Sequence, residues 1–169
     1  MPGRFDTHDV TNQPPPYEDV DLFAGDLPLQ DAVNANGARS HAWVLSAFGR
    51  RWGAAKMFAL GVQANANPPK LESFDARGFR RDVVQFHPAY HRLMAESTAA
   101  GLHVSTWGAD LAPSPSPAQV VRAARFYMAA QVETGHLCPI TMTRASVAAL
   151  AEQPDLLAKV MPVDRKSVV

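Results

Sequence analysis

The sequence predicts a mainly α-helical domain with an extended N-terminal arm and a small β-hairpin. Apolar residues recur at steps of three and four along several segments, which is the periodicity of helices with one buried face. A later segment opens with a capping box, which is a strong helix-start signal. The 169 residues are 47% apolar and 19% charged. This composition suits one domain with its own core and argues against a disordered chain.

Residues 1–26 are predicted to form the extended arm. Pro14, Pro15 and Pro16 exclude a helix there, because proline lacks the amide donor and restricts the residue before it. Residues 1–35 contain one arginine and seven acidic residues, whereas residues 36–81 contain eight basic and two acidic residues. We expect these two segments to pack on each other. A basic patch for nucleic acid is the alternative, but its charges are diluted among apolar residues.

The domain itself is expected to span residues 27–162. A helical pattern begins at His41 and stops before Asn67, which two prolines follow. Gly49 and Gly53 are the positions at which this helix can kink or split. Its apolar face consists of Leu45, Phe48, Trp52, Ala55 and Phe58.

A hairpin and a further helix are predicted next. Residues 71–86 read as two short extended pieces around a turn at residues 75–78. Pro88 suits a first helical position and Gly101 suits a helix end, so we expect a helix of about three turns between them.

The clearest helix start is at Ser116. Pro117 follows it, and Gln119 lies three residues on, where the two side chains can satisfy two otherwise unpaired amides. The helix over residues 118–132 is apolar most of the way round, so we expect a central helix buried on several sides. After Gly135, a helix from Pro139 to Leu150 and a short one over residues 155–160 complete the chain.

Histidine and cysteine residues are the candidates for chemistry. His87 and His91 have the spacing of a metal-binding helix, with His103 as a third ligand, but the general-base glutamate is absent and a structural role is favoured. Cys138 near His136 permits a thiolate pair, although a buried, inert cysteine is favoured. A single cysteine excludes an internal disulfide. Without a Gly-rich phosphate loop, a secretory signal or a membrane span, we expect a cytoplasmic chain that does not bind nucleotides by itself.

Three stretches carry a resemblance to a known family. They are residues 63–71 (QANANPPKL), 86–91 (FHPAYH) and 121–143 (VRAARFYMAAQVETGHLCPITMT). Together with Thr11, Asn12, Gln13 and Pro14, they resemble the N-terminal helical domain of AidB-like acyl-CoA dehydrogenases, which are flavoproteins of the DNA alkylation response. The resemblance is collinear from about residue 8 to about residue 162.

The resemblance implies a larger FAD-dependent protein in which this domain packs on a β-domain and a C-terminal helical bundle, assembled as a homotetramer. FAD, the catalytic glutamate and the DNA-binding region would belong to those other parts. For this chain it implies no catalytic, cofactor-binding or metal-binding residue. It places Thr141 and Met142 in the wall of the acyl pocket.

The end of the chain departs from the family pattern. Residues 164–169 read as an in-frame translation of a sequencing adapter, so we expect residues 163–169 to be an artefactual tail on a truncated chain whose reading frame continues. The first functional hypothesis is therefore the N-terminal fragment of an AidB-like flavoprotein that is not catalytic alone. The alternatives are a stand-alone helical module that docks a partner flavoprotein, and a small metal-dependent hydrolase built on His87 and His91.

Overall fold

The computed structural model describes residues 5, 7–9, 11–107 and 115–164, with side chains up to residue 160. It confirms a mainly α fold with a two-stranded hairpin. Residues 11–20 form neither helix nor strand. The elements are α1 (Leu27–Ala35), α2 (Ala42–Trp52), α3 (Ala55–Ala66), β1 (Lys70–Phe74), β2 (Arg80–Gln85), α4 (Pro88–Ala99), α5 (Pro117–Ala130), α6 (Leu137–Leu150) and α7 (Pro154–Asp164), with a 3-10 turn at Arg39–His41 before α2.

The first long helical segment is split into α2 and α3 at Gly53, and Gly49 lies within α2. The split has a tertiary cause, because the arm crosses the end of α2 against its backbone. The Gly53 carbonyl accepts a hydrogen bond from the amide of Val20 at 3.2 Å. A Cβ atom at Gly53 would collide with the Val20 carbonyl, and one at Gly49 would lie 2.5 Å from Oδ1 of Asp21. Glycine is therefore required at both positions.

The arm is held to α2 by Asp21. Its Oδ1 accepts hydrogen bonds from the amides of Phe23 and Ala24, each at 3.0 Å. Its Oδ2 accepts from Ser46 Oγ at 2.5 Å and pairs with Arg50 Nη1 at 3.1 Å. This ion pair joins the acidic and basic segments of the chain, as their charges predict.

The core lies between the arm and helices α1 to α6. Its buried side chains include Leu22, Phe23, Val33, Leu45, Trp52, Leu93, Leu102, Met128 and Ile140. A buried glutamate, Glu96, ties α4 to α2 through Arg51 Nη2 at 2.6 Å, and it also pairs with Arg92 at 2.8 Å. Gly61 of α3 lies against the backbone of Val132, where a side chain would collide.

Helix α5 begins as predicted, with the reciprocal capping box of Ser116 and Gln119 in place. The expectation that it is buried on several sides is wrong for the described part of the chain. One face, which carries Val121, Ala124, Met128 and Ala129, is buried, whereas Tyr127 on another face is 52% exposed. The apolar pattern alone does not say which faces the other helices cover.

Other helix boundaries differ from the prediction for local reasons. Helix α6 begins at Leu137 rather than Pro139, because the first four amides of a helix need no intrahelical acceptor and proline is tolerated among them. Helix α7 runs past residue 160 to Asp164. The sequence interpretation did not identify α1, although Asp26 caps it by accepting from the Leu29 amide at 2.9 Å. Residues 165–169, which form most of the expected tail, lie outside the described residues.

The hairpin between α3 and α4 is confirmed. The strands are antiparallel, with Leu71 opposite Val84 and Glu72 opposite Val83. In the turn, Oδ1 of Asp75 accepts from the amides of Arg77 and Phe79, while a φ of 85° at residue 78 requires its glycine.

Candidate functional site

A shallow apolar groove of about 330 Å³ lies between the C-terminal half of α5 and the first turns of α6. We call it the α5–α6 groove. It brings together the two residues expected to line an acyl pocket, Thr141 and Met142, which lie one turn beyond Cys138 on the same side of α6. The remaining lining residues are Phe126, Ala130, Thr134 and Leu137.

The chemistry of the α5–α6 groove is that of a contact surface. Its lining contains no acidic, basic or imidazole side chain. The polar atoms that line it belong to two threonine hydroxyls, one thiol and the backbone. The groove can therefore pack against an alkyl chain, but its side chains offer no group suited to proton abstraction at neutral pH.

Cys138 is exposed, so the prediction that it is buried is wrong, whereas its predicted inertness is untested. The reason is its position on α6. Leu137 and Ile140 point into the core, whereas Cys138 lies on the side of the helix that faces the groove. The nearby His136 does not make it part of a catalytic pair, because the imidazole hydrogen-bonds to other side chains.

His136 belongs to a buried hydrogen-bond network with Glu133 and Ser97 at the turn between α5 and α6, which we call the Glu133 network. Oε1 and Oε2 of Glu133 accept from the amides of Gly135 and His136, at 2.5 and 2.9 Å. Oε2 also lies 2.7 Å from His136 Nδ1, and His136 Nε2 lies 2.9 Å from Ser97 Oγ on α4. The imidazole stacks on Trp52 of α2, with ring centroids 5.8 Å apart.

Burial controls the protonation of this network. It lowers the pKa of His136, against the opposing effect of the Glu133 carboxylate, so the ring is neutral. Burial alone would raise the pKa of Glu133, but the hydrogen bonds from His136 and Gly135 outweigh it and the pKa is lowered. Burial also raises the pKa of the Tyr90 phenol, and the nearby Glu133 and Cys138 add to that effect. At neutral pH the network is therefore an ionised glutamate beside a neutral histidine.

The order Ser97, His136, Glu133 matches the connectivity of a hydrolase triad. The three residues are too buried for a substrate to reach them, so they do not form a catalytic site. Ser97 and His136 are 0% exposed and Glu133 is 6% exposed, so a substrate carbonyl cannot reach the hydroxyl. The network instead fixes the turn that sets α5 beside α6. Sequence reasoning missed it, although Glu133 and His136 have the three-residue spacing of a local side-chain pair.

His87 and His91 have structural contacts. Nδ1 of His87 accepts from the Ala89 amide at 3.2 Å, which caps the start of α4. His91 packs edge-on against Phe86 and Tyr90. Over the described residues, no three His, Cys, Asp or Glu side chains come close enough to share a metal ion, and so His103 does not join the pair.

A second and larger cavity, of about 630 Å³, is lined by residues of α1 and α5. Its lining includes the apolar residues Leu29, Val33 and Val120 together with Arg122 and Arg144. Pro115 at its rim follows residues 108–114, which are outside the described part of the chain.

Within the described ranges, every helix is too short or too polar to cross a lipid bilayer.

Comparisons with known proteins agree on the family. Residues 12–166 match the family model described as the adaptive response protein AidB N-terminal domain. The chain is 43% identical over 149 residues to AidB of Escherichia coli (strain K12), a candidate acyl-CoA dehydrogenase. That alignment covers 88% of this chain but 27% of the relative, so the chain spans about a quarter of that protein's length.

Two solved structures share the fold. A protein called Bd2924, in its apo form, superposes with a TM-score of 0.73 at 22% identity, over 88% of this chain and 30% of that one. ACDH-11 of Caenorhabditis elegans, in complex with C11-CoA, gives a TM-score of 0.69 at 19% identity, over 95% of this chain and 28% of that one. At these identities the two structures support the fold alone.

Proposed function

Since the chain belongs to the family of AidB N-terminal domains, we propose that it supplies the N-terminal helical part of an acyl-CoA dehydrogenase-like flavoprotein of the DNA alkylation response. The family match over residues 12–166 is the observation that carries this proposal. The relative from E. coli is named as an acyl-CoA dehydrogenase candidate, which supports the same assignment.

FAD would be held by other segments of the full-length protein. The α5–α6 groove does not fit the cofactor, because a pyrophosphate requires cationic or backbone N–H donors. None of the side chains that line the groove is charged, and the amides of Leu137 and Cys138 already donate to the carbonyls of Thr134 and Gly135. Flavin chemistry and proton abstraction are both assigned to the other segments.

The contribution of this domain would be one wall of the acyl pocket. Thr141, Met142 and Phe126 present an apolar surface at the groove, against which a fatty acyl chain can lose water-exposed area. The Glu133 network would hold that wall in place, since it ties the α5–α6 turn to α4 and α2. The same proposal extends to a homotetramer and to packing on the β-domain and C-terminal bundle.

Contact with DNA would come from outside this domain. The chain has a formal net charge of zero, and the eight basic residues of segment 36–81 are spread among apolar residues. A surface that binds the phosphate backbone needs a cluster of positive charge. The C-terminal region that the family resemblance implies would supply it.

The acyl-wall proposal is tested through Cys138, whose thiol is exposed in the groove. The full-length flavoprotein is alkylated with iodoacetamide with and without dodecanoyl-CoA, and the Cys138 peptide is quantified by mass spectrometry. We expect acyl-CoA to slow alkylation several-fold and CoA alone to have no effect. The Ala130→Trp variant, which fills the groove, should weaken acyl-CoA binding. Unchanged alkylation at acyl-CoA concentrations that saturate the flavin spectral change would refute the proposal.

A further inference from the structure

The hairpin stands apart from the helical core. The two strands contact each other much more than they contact any helix. Leu71 and Val84, which face each other across the strands, are 63% and 49% exposed. Isolated two-stranded sheets are marginal in water, and an apolar cross-strand pair on an open face is a surface that association can cover.

The two free edges of this sheet are not equivalent. Glu72 lies opposite Val83 and Phe74 lies opposite Arg80. One residue separates the two β1 positions but two separate the β2 positions, so β2 has a one-residue bulge. Asp82, within that bulge, has a φ of 49° and accepts from Arg80 Nε at 2.5 Å. A bulge with charged side chains prevents regular pairing along the outer edge of β2. The edge of β1 has the regular backbone.

The charged residues of β1 favour a second copy of β1 as the partner of that edge. When a second copy of β1 lies antiparallel about a two-fold axis at Leu71, Lys70 of each copy faces Glu72 of the other. An axis one residue further along would place two Glu72 side chains opposite each other, which is unfavourable. A two-fold axis midway between two residues is excluded. A residue whose backbone N–H and C=O point away from β2 would then lie opposite a residue whose N–H and C=O point towards its own β2.

We propose that the free edge of β1 pairs with β1 of a second copy of this chain, with the two-fold axis at Leu71. The result is a four-stranded antiparallel sheet. One face carries a continuous apolar row of Val84, Leu71 and their counterparts, since opposite residues share a face. The other face carries two Lys70–Glu72 pairs, each next to the ion pair that Glu72 already forms with Arg81 Nη1 of its own hairpin at 3.6 Å. Pro69 has no amide hydrogen to donate to the strand ladder, so the new pairing covers residues 70–72 of each copy. Because this contact is short, we expect a dissociation constant in the micromolar range or weaker.

This inference is independent of the flavin assignment, because it concerns an edge remote in sequence from α5 and α6. The test uses the 169-residue chain in sedimentation equilibrium, with two charge reversals, Lys70→Glu and Glu72→Lys. Each reversal places like charges opposite each other twice in the dimer. We expect each variant alone to dimerise at least about tenfold more weakly than the parent chain.

Mixing the two variants provides the decisive measurement. In a mixed dimer the two Glu side chains of one copy face the two Lys side chains of the other, so the mixture should associate again, as should the double variant Lys70→Glu/Glu72→Lys. Arg77→Glu, in the turn and off the pairing edge, is the matched control and should dimerise like the parent. Circular dichroism of each variant tests whether it is folded. A monomeric parent at millimolar concentration, or folded variants whose association does not depend on these charges, would overturn the proposal.

Discussion

Replacing Glu133 with alanine is expected to destabilise the domain by about 3–5 kcal/mol. The carboxylate accepts from the amides of Gly135 and His136 and from the His136 imidazole. Glu133 is buried, so water does not replace it readily. Each buried donor that loses its partner costs about 1–3 kcal/mol. Three donors would cost more if nothing moved, but the shortened side chain leaves room for the turn to relax.

Urea unfolding followed by circular dichroism measures this effect. Glu133→Gln is the closest control, because it keeps the shape and one acceptor oxygen and should lose about half as much stability. Glu152→Ala, on the exposed turn after α6, removes a glutamate without buried partners and should change stability by less than about 0.5 kcal/mol. A loss below about 1 kcal/mol for Glu133→Ala would refute the structural role of the network.

Three further predictions follow from the described contacts. Acidification should destabilise the chain in two steps, because the pKa values of His136 and Glu133 are lowered in the folded state. In the unfolded chain His136 takes up a proton below its usual pKa of 6.5 and Glu133 below 4.5, whereas the folded groups stay unprotonated there. His136→Gln should flatten the first step in urea titrations from pH 7 to pH 5. Gly53→Ala should lower stability by about 1–3 kcal/mol through collision with the Val20 carbonyl, and an unchanged urea midpoint would contradict the close arm crossing. Cys138 should react stoichiometrically with a disulfide reagent in the native chain, whereas reaction only in urea would contradict its exposure.

The elements that the sequence predicted well are those with local signals. The capping box at Ser116 involves residues three apart, and the turn after Asp75 is closed by its own side chain. Both structures form from neighbours in the chain, so the sequence contains the whole cause. Helix α1 had the same kind of signal at Asp26 and was missed by the interpretation, although its capping residue was present.

The features that the sequence did not predict depend on distant contacts. Ser97 and His136 are 39 residues apart, and no spacing rule brings them together. The split at Gly53 follows from contact with Val20, which belongs to the arm. Periodicity shows that a helix has an apolar face, but the covering element is decided by the tertiary arrangement.

Helix α5 shows where the local pattern and the observed packing differ most. Its sequence is apolar nearly all round, yet Tyr127 on α5 and Met142 on the adjacent α6 remain 52% and 67% exposed. A large apolar side chain gains about 1.5–3 kcal/mol on full burial, so two such residues represent a sizeable share of the stability of a small domain. A helix that serves this domain alone would need only one apolar face. Tyr127 lines the cavity beside α1, whereas Met142 lines the α5–α6 groove, so the domain leaves two separate apolar surfaces for another domain or an acyl chain, as the proposed function requires.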